Sequence, residues 1–171
     1  DKWKSTFWNH KFPRARAMLR QLHARGYIIL VCTNESVDHL KNPQPLQDQL
    51  TPKCTRLSRW AEDVGVPILA LCALSKKGGS SGTGPPLHPT TGHTIHKQPQ
   101  AAKGNAGMWH MAEDLMGLPR GGGSGSGSFF VGDAAGREGD HGDDDRRLAH
   151  SAGVQFYTER EFFQGDPLRL A

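Results

Sequence analysis

Two observations predict an α/β fold with a parallel sheet and flanking helices. Amphipathic helical stripes alternate along the chain with short runs that are almost wholly apolar, as strands covered on both faces are. A glycine follows each stripe, the usual signal that a helix stops before the next element starts.

The first unit is "FPRARAMLRQLHARGYIILVCTN". Pro13 suits a first helical turn, Met18, Leu19 and Leu22 make the stripe, and Gly26 ends it. Tyr27 to Cys32 then reads as a buried strand with Thr33 as its last residue. The second unit places Leu57, Trp60, Ala61 and Val64 at helical spacing in "CTRLSRWAEDVG" and follows it with the strand "VPILALCA". In the third, Met108, Met111, Ala112, Leu115 and Met116 form a core-facing stripe that stops at Gly117, and "SFFVGD" is the strand. A short helix over 144–151 leads through Gly153 to "VQFY". Two stretches break the rhythm, at about 75–106 and 119–127, where Gly, Ser, Thr and Pro dominate without periodicity. They are expected to be surface insertions in a single domain spanning residues 1–171.

Composition narrows the function only coarsely. Lys and Arg number 21 against 17 Asp and Glu, a net charge of +4 that accommodates an anionic partner without demanding one. Cys32, Cys54 and Cys72 have no zinc-finger spacing and read as reduced thiols of an intracellular protein, and His88, His93 and His96 do not repeat like metal ligands. No run approaches the about eighteen apolar residues of a membrane span. No G-x-x-x-x-G-K-[ST] occurs, so a kinase phosphate loop is absent from these residues. Lys2, Trp3, Lys4, Trp8, Lys11 and Arg14 interleave basic and aromatic groups that could stack on bases or cover a sheet edge.

In open parallel sheets ligands bind beyond the carboxyl ends of the strands. Thr33 and Asn34 end the first strand and Asp133 ends the third, which puts a hydroxyl, an amide and a carboxylate on one rim. Asp133 follows an apolar run, so it is expected half-buried and in need of a cationic partner. In "GDHGDDDRR", Asp140, Asp143 and Asp144 read as solvated surface.

The segments "DKWKSTFWNHKFPRARAMLRQLHARGY", "GYIILVCTN", "AKGNAGMW", "SFFVGDAAGR" and "DRRLAHSAGVQFYTEREFF" resemble, in this order, the phosphatase domain of the polynucleotide kinase 3′-phosphatase family. That domain is haloacid dehalogenase-like, with a Rossmann-like sheet. The resemblance implies a Mg2+-dependent DNA 3′-phosphatase that clears 3′-phosphate ends in DNA repair, in the nucleus, with DNA-repair scaffold proteins as further partners. It also implies the roles. Thr33 and Asn34 bind the phosphoryl group, Lys103, six residues before Trp109, neutralises it, and Asp133 binds Mg2+. Arg137 either contacts the substrate phosphate or pairs with a carboxylate, and Asp145 either orients the metal shell through water or holds Lys103.

The family's nucleophile lies in an Asp-x-Asp-Gly-Thr motif at the end of a central strand, and these 171 residues contain none. The expectation is therefore a sheet missing its first central strand, in a fragment that is inactive and poorly stable alone. Two other functions compete with this one: a small-molecule phosphatase of the same superfamily, such as a histidinol-phosphate phosphatase, and a non-catalytic DNA-end binding module.

Overall fold

The computed structural model describes residues 10–37, 46–76, 106–119 and 127–165. Helices and strands alternate: α1 (Ala15–Ala24), β1 (Ile29–Val37), α2 (Leu46–Val64), β2 (Ile68–Lys76), α3 (Gly107–Met116), β3 (Phe129–Gly132), α4 (Asp144–Ala152), β4 (Gln155–Thr158) and α5 (Glu159–Gln164). The fold is α/β and every strand pair is parallel.

The strands do not join into one sheet. β1 pairs only with β2, and β3 only with β4, giving two separate two-stranded sheets among the described residues. Side-chain alternation nevertheless puts both sheets between the same two apolar cores. Ile29 of β1 and Phe129 and Val131 of β3 pack on one side with Met18 and Leu22 of α1 and Phe162 of α5. Leu30 and Cys32 of β1 and Phe130 of β3 pack on the other with Met108 and Ala112 of α3 and Leu148 of α4. Since successive strand residues face opposite ways, the two sheets form one interrupted layer between two layers of helix. Phe129 anchors β3 in this arrangement, with its ring 5.6 Å from Tyr27, 5.7 Å from Tyr157 and 5.2 Å from Phe162.

Three boundaries differ from the sequence reading. β1 continues past Thr33 to Val37, because β2 offers pairing partners as far as Lys76. That same pairing carries β2 into the first two residues of the expected insertion at 75–106. α2 begins at Leu46, well before Cys54, and contains Pro52, whose missing N–H normally argues for a helix boundary. Arg20 of α1 secures the far end of α2: its Nε donates to the Val64 carbonyl at 2.6 Å and its Nη2 to the Asp63 carbonyl at 3.1 Å. Those are carbonyls a helix end leaves without intrahelical partners. The Asp63 carboxylate meets His10 at 3.0 Å and Arg16 at 2.9 Å, and the His10 hydrogen bond, with Arg16 adding to it, holds its pKa below the ordinary value.

α4 ends at Gly153, whose φ of 69° is the left-handed conformation that suits glycine. α5 carries a capping box: the Thr158 hydroxyl accepts from the Glu161 N–H at 3.2 Å, and the Thr158 N–H donates to Glu161 Oε2 at 2.8 Å.

Candidate active site

Between the two sheets lies a cavity of about 760 Å3, lined mainly by apolar groups. Ile28 to Cys32 form one wall and Ser128 to Asp133 the other, with α1 and α5 below and α3 above. The carboxylate of Glu113 also reaches this cavity and is 4 % exposed. Both its oxygens are held by its own helix, through Trp109 Nε1 at 2.9 Å and His110 Nδ1 at 2.9 Å.

The loop that leaves β3 is densely hydrogen-bonded. Asp133 is exposed, which corrects the expectation that it is half-buried. The buried carboxylate is Asp145, 1 % exposed on the first turn of α4. Its Oδ2 accepts the N–H of Asp133 at 3.1 Å and of Ala134 at 3.0 Å. In return the Ala134 carbonyl accepts the N–H of Asp145 at 3.1 Å and of Arg146 at 3.3 Å. Burying a carboxyl group this deeply is costly, and the two backbone N–H groups offset that cost at Oδ2. Backbone N–H groups, those of Asp133 and Ala134, are thus partners of the Asp145 carboxyl.

Gly132 makes this approach feasible. A Cβ at that position would lie 2.5 Å from Cβ and Cγ of Asp145, and the chain must give way. Gly132→Ala is expected to lower stability by about 1–3 kcal/mol, read as a fall in the denaturant midpoint with an unchanged slope.

The far side of the loop is organised by Arg137 and Asp140. Asp140 Oδ2 accepts the N–H of Ala135 at 3.1 Å and of Arg137 at 3.0 Å, while the Arg137 guanidinium pairs with the same carboxylate at 3.0–3.2 Å. Arg137 Nη2 also donates to the Asp133 carbonyl at 3.1 Å and to Glu159 Oε2 at 3.0 Å. Of the two roles considered for Arg137, carboxylate pairing is the one its contacts describe. Asp140, read from sequence as solvated surface, is a loop-ordering acceptor with a side chain 13 % exposed. Asp143 and Asp144 are exposed and half-buried respectively.

The hydrogen bond from the Arg137 side chain, joined by the backbone donors, pulls the Asp140 pKa down to about 2, and its bond to Asp140 raises that of Arg137. For Glu159, burial pushes upward and is the largest single influence, but Arg137, a backbone hydrogen bond and Lys11 together outweigh it and the net shift is downward. A depressed carboxylate stabilises the fold fully above its unfolded value and loses that contribution as pH falls through its folded value. The loop order supplied by Asp140 is therefore expected to persist below pH 3.8 and to disappear toward pH 2. The Asp140 carboxyl carbon, followed by NMR during an acid titration, checks this.

Of the residues chosen from sequence, the structure brings Asp133 and Arg137 together in one loop and Asp145, from α4, against it. Thr33 and Asn34 lie within β1, in register with Cys72 and Ala73, rather than at its end. Thr33 directly follows Cys32, which lines the cavity wall opposite Asp133. Lys103 and most of both expected insertions lie outside the described residues. Glu159 was missed, although the Thr158-x-x-Glu161 spacing announces a helix that starts beside it. Glu113 was also missed, although Trp109 and His110 stand at helical spacing before it.

Among the described residues no three Asp, Glu, His or Cys side chains converge as a metal site. Asp133 offers a single exposed carboxylate, which fits one of the one or two that Mg2+ takes alongside water and phosphate oxygens. No described helix is long and apolar enough to cross a membrane.

The chain is 34 % identical over 165 residues to the Arabidopsis thaliana polynucleotide 3′-phosphatase ZDP, a match covering 91 % of this chain and 20 % of that protein. The chain thus spans about a fifth of the length of that relative. It is also 28 % identical over 173 residues to an uncharacterized 20.8 kDa protein of Autographa californica nuclear polyhedrosis virus, from its FGF-VUBI intergenic region, covering 97 % of this chain and 74 % of that one. The family model for polynucleotide kinase 3 phosphatase matches residues 1–163. The chain belongs to the polynucleotide kinase 3 phosphatase family.

Proposed function

We propose that the chain is the phosphatase part of an enzyme that removes phosphate from the 3′ ends of broken DNA, in a haloacid dehalogenase-like domain. The observation that carries this reading is the braced loop after β3, which presents the Asp133 carboxylate at the rim of a cavity in a chain similar to a polynucleotide 3′-phosphatase. Thr33 and Asn34 bind the phosphoryl oxygens across the cavity, Lys103 neutralises them, and Asp133 holds Mg2+. When bound, the ion supplies charge stabilisation to the phosphoryl group.

The cavity is the place for the central strand. A strand residue covered on both faces fills roughly 160 Å3, from its rise, its spacing to neighbours and the thickness of a sheet layer. The volume of about 760 Å3 therefore suits about five residues. Five residues is also the span of the β1 wall, Ile28 to Cys32. In this reading an apolar strand ending in Asp-x-Asp-Gly-Thr enters between β1 and β3 and delivers the attacking carboxylate to the rim where Asp133 stands. DNA-repair scaffold proteins and a nuclear setting belong to the same proposal.

Phosphate release by the full-length protein tests it, on oligonucleotides phosphorylated at the 3′ or the 5′ end and on a chromogenic phosphomonoester. Selective, Mg2+-dependent hydrolysis of the 3′-phosphate is expected. Hydrolysis of the small ester without competition from oligonucleotide would move the assignment to a small-molecule phosphatase.

A further inference from the structure

We propose that Arg137 is a positioning residue, which works with Asp140 and Glu159 as a clamp on the loop that carries Asp133. The geometry of the guanidinium carries the inference. Its nitrogens are directed at the Asp140 carboxylate, the Asp133 carbonyl and Glu159 Oε2, all at 3.0–3.2 Å. The planar fork of arginine suits such multiple, fixed contacts, and a lysine ammonium could not reproduce them.

Each partner ties the loop to a different support. Asp140 closes the loop on itself through the N–H groups of Ala135 and Arg137. Glu159 ties it to α5 and, through Lys11 Nζ at 3.5 Å, to the segment before α1. Asp145 fixes the opposite side through the Asp133 and Ala134 N–H groups. Asp133 is thereby held at its N–H by one carboxylate and at its carbonyl by an arginine that two other carboxylates orient. Its side chain is left exposed at the rim, with its backbone fixed on both sides. A phosphate contact at Arg137 would have to compete with both carboxylates. The proposal rests on the phosphatase reading only in taking Asp133 as the working carboxylate.

Amide hydrogen exchange on the full chain, with Arg137→Gln, Arg137→Lys, Asp140→Asn and Glu159→Gln, tests the clamp. Glu159→Gln decides most, because it lies outside the loop and leaves the loop sequence intact. Each variant is expected to speed exchange at Ala135 and Arg137 by about tenfold, the scale of one lost charge-assisted hydrogen bond. The Arg137→Gln, Glu159→Gln pair together should do little more than either alone, as members of one network do, and Arg137→Lys should not rescue. Broadening of the Asp133 amide signal by Mn2+ should require more ion in each variant, while the global thermal midpoint of Glu159→Gln stays near that of the parent.

A 3′-phosphorylated oligonucleotide supplies the opposing outcome. If Arg137→Gln alone abolishes preference for the 3′-phosphate over the 3′-hydroxyl end, while loop exchange is unchanged in all four variants, Arg137 is a phosphate contact and the clamp is overturned. If the full-length parent protein shows no end preference, the phosphatase reading fails, and the exchange data still decide the clamp.

Discussion

A synthetic peptide of five apolar residues followed by Asp-x-Asp-Gly-Thr, added to the purified chain, is expected to turn a shallow thermal transition into a sharp one. The midpoint should rise by about 6–12 °C. The expectation follows from the space between β1 and β3. Each large apolar side chain that a strand buries there contributes about 1.5–3 kcal/mol, and the backbone gains ladder bonds to β1 and β3, against about 1–2 kcal/mol per residue for ordering. A net gain of roughly 3 kcal/mol corresponds to about 6–12 °C for a chain of this length. Without the peptide, the same edges and apolar walls leave the chain prone to association. A sharp, cooperative melt of the unassisted monomer, unmoved by the peptide, would show that the walls are satisfied as they stand.

Asp145→Ala is expected to be strongly destabilising. It removes the acceptor of two N–H groups, those of Asp133 and Ala134, at a site 1 % exposed. Leaving a buried or part-buried donor without an acceptor costs about 1–3 kcal/mol, so the loss from two should reach about 2–6 kcal/mol in chemical denaturation. Asp145→Asn keeps an oxygen in the same place and should lose much less. The amide proton signals of Asp133 and Ala134 report the bond directly. They should move upfield in the alanine variant, and unmoved signals would show that Asp145 does not hold the loop.

Periodicity made most of the fold legible before any coordinates. The stripes of α1 and α3 and the apolar runs of β1 to β4 required only the alternation of residue types. Extended pairing was invisible, because the last four residues of β1, Asn34 to Val37, are polar but for one and owe their strand state to register with β2. Pro52 concealed the first turns of α2 for the opposite reason: a local prohibition was overridden by the helix around it. At the site, "VGDAAGR" located the loop, but the burial of its acids was misassigned. An apolar run predicts where a strand goes, not where it surfaces. Asp133 emerges at the strand end, Asp140, read as surface, orders the loop, and Asp145, set apart from the surface acids by the resemblance, is the one that turns inward. Arg137, Asp140 and Glu159 could not be joined from sequence, because Glu159 is brought to the loop by β4 and α5.

In the proposed phosphatase, β1 and β3 are two sides of a space made for one strand. Amide hydrogen exchange of both strands, with and without the Asp-x-Asp-Gly-Thr peptide, tests it most directly. A strand seated between them protects slot-facing amides of Ile29 to Thr33 and of Phe129 to Gly132 together, at one peptide concentration. Protection gained on one strand only, or on neither, would contradict the claim.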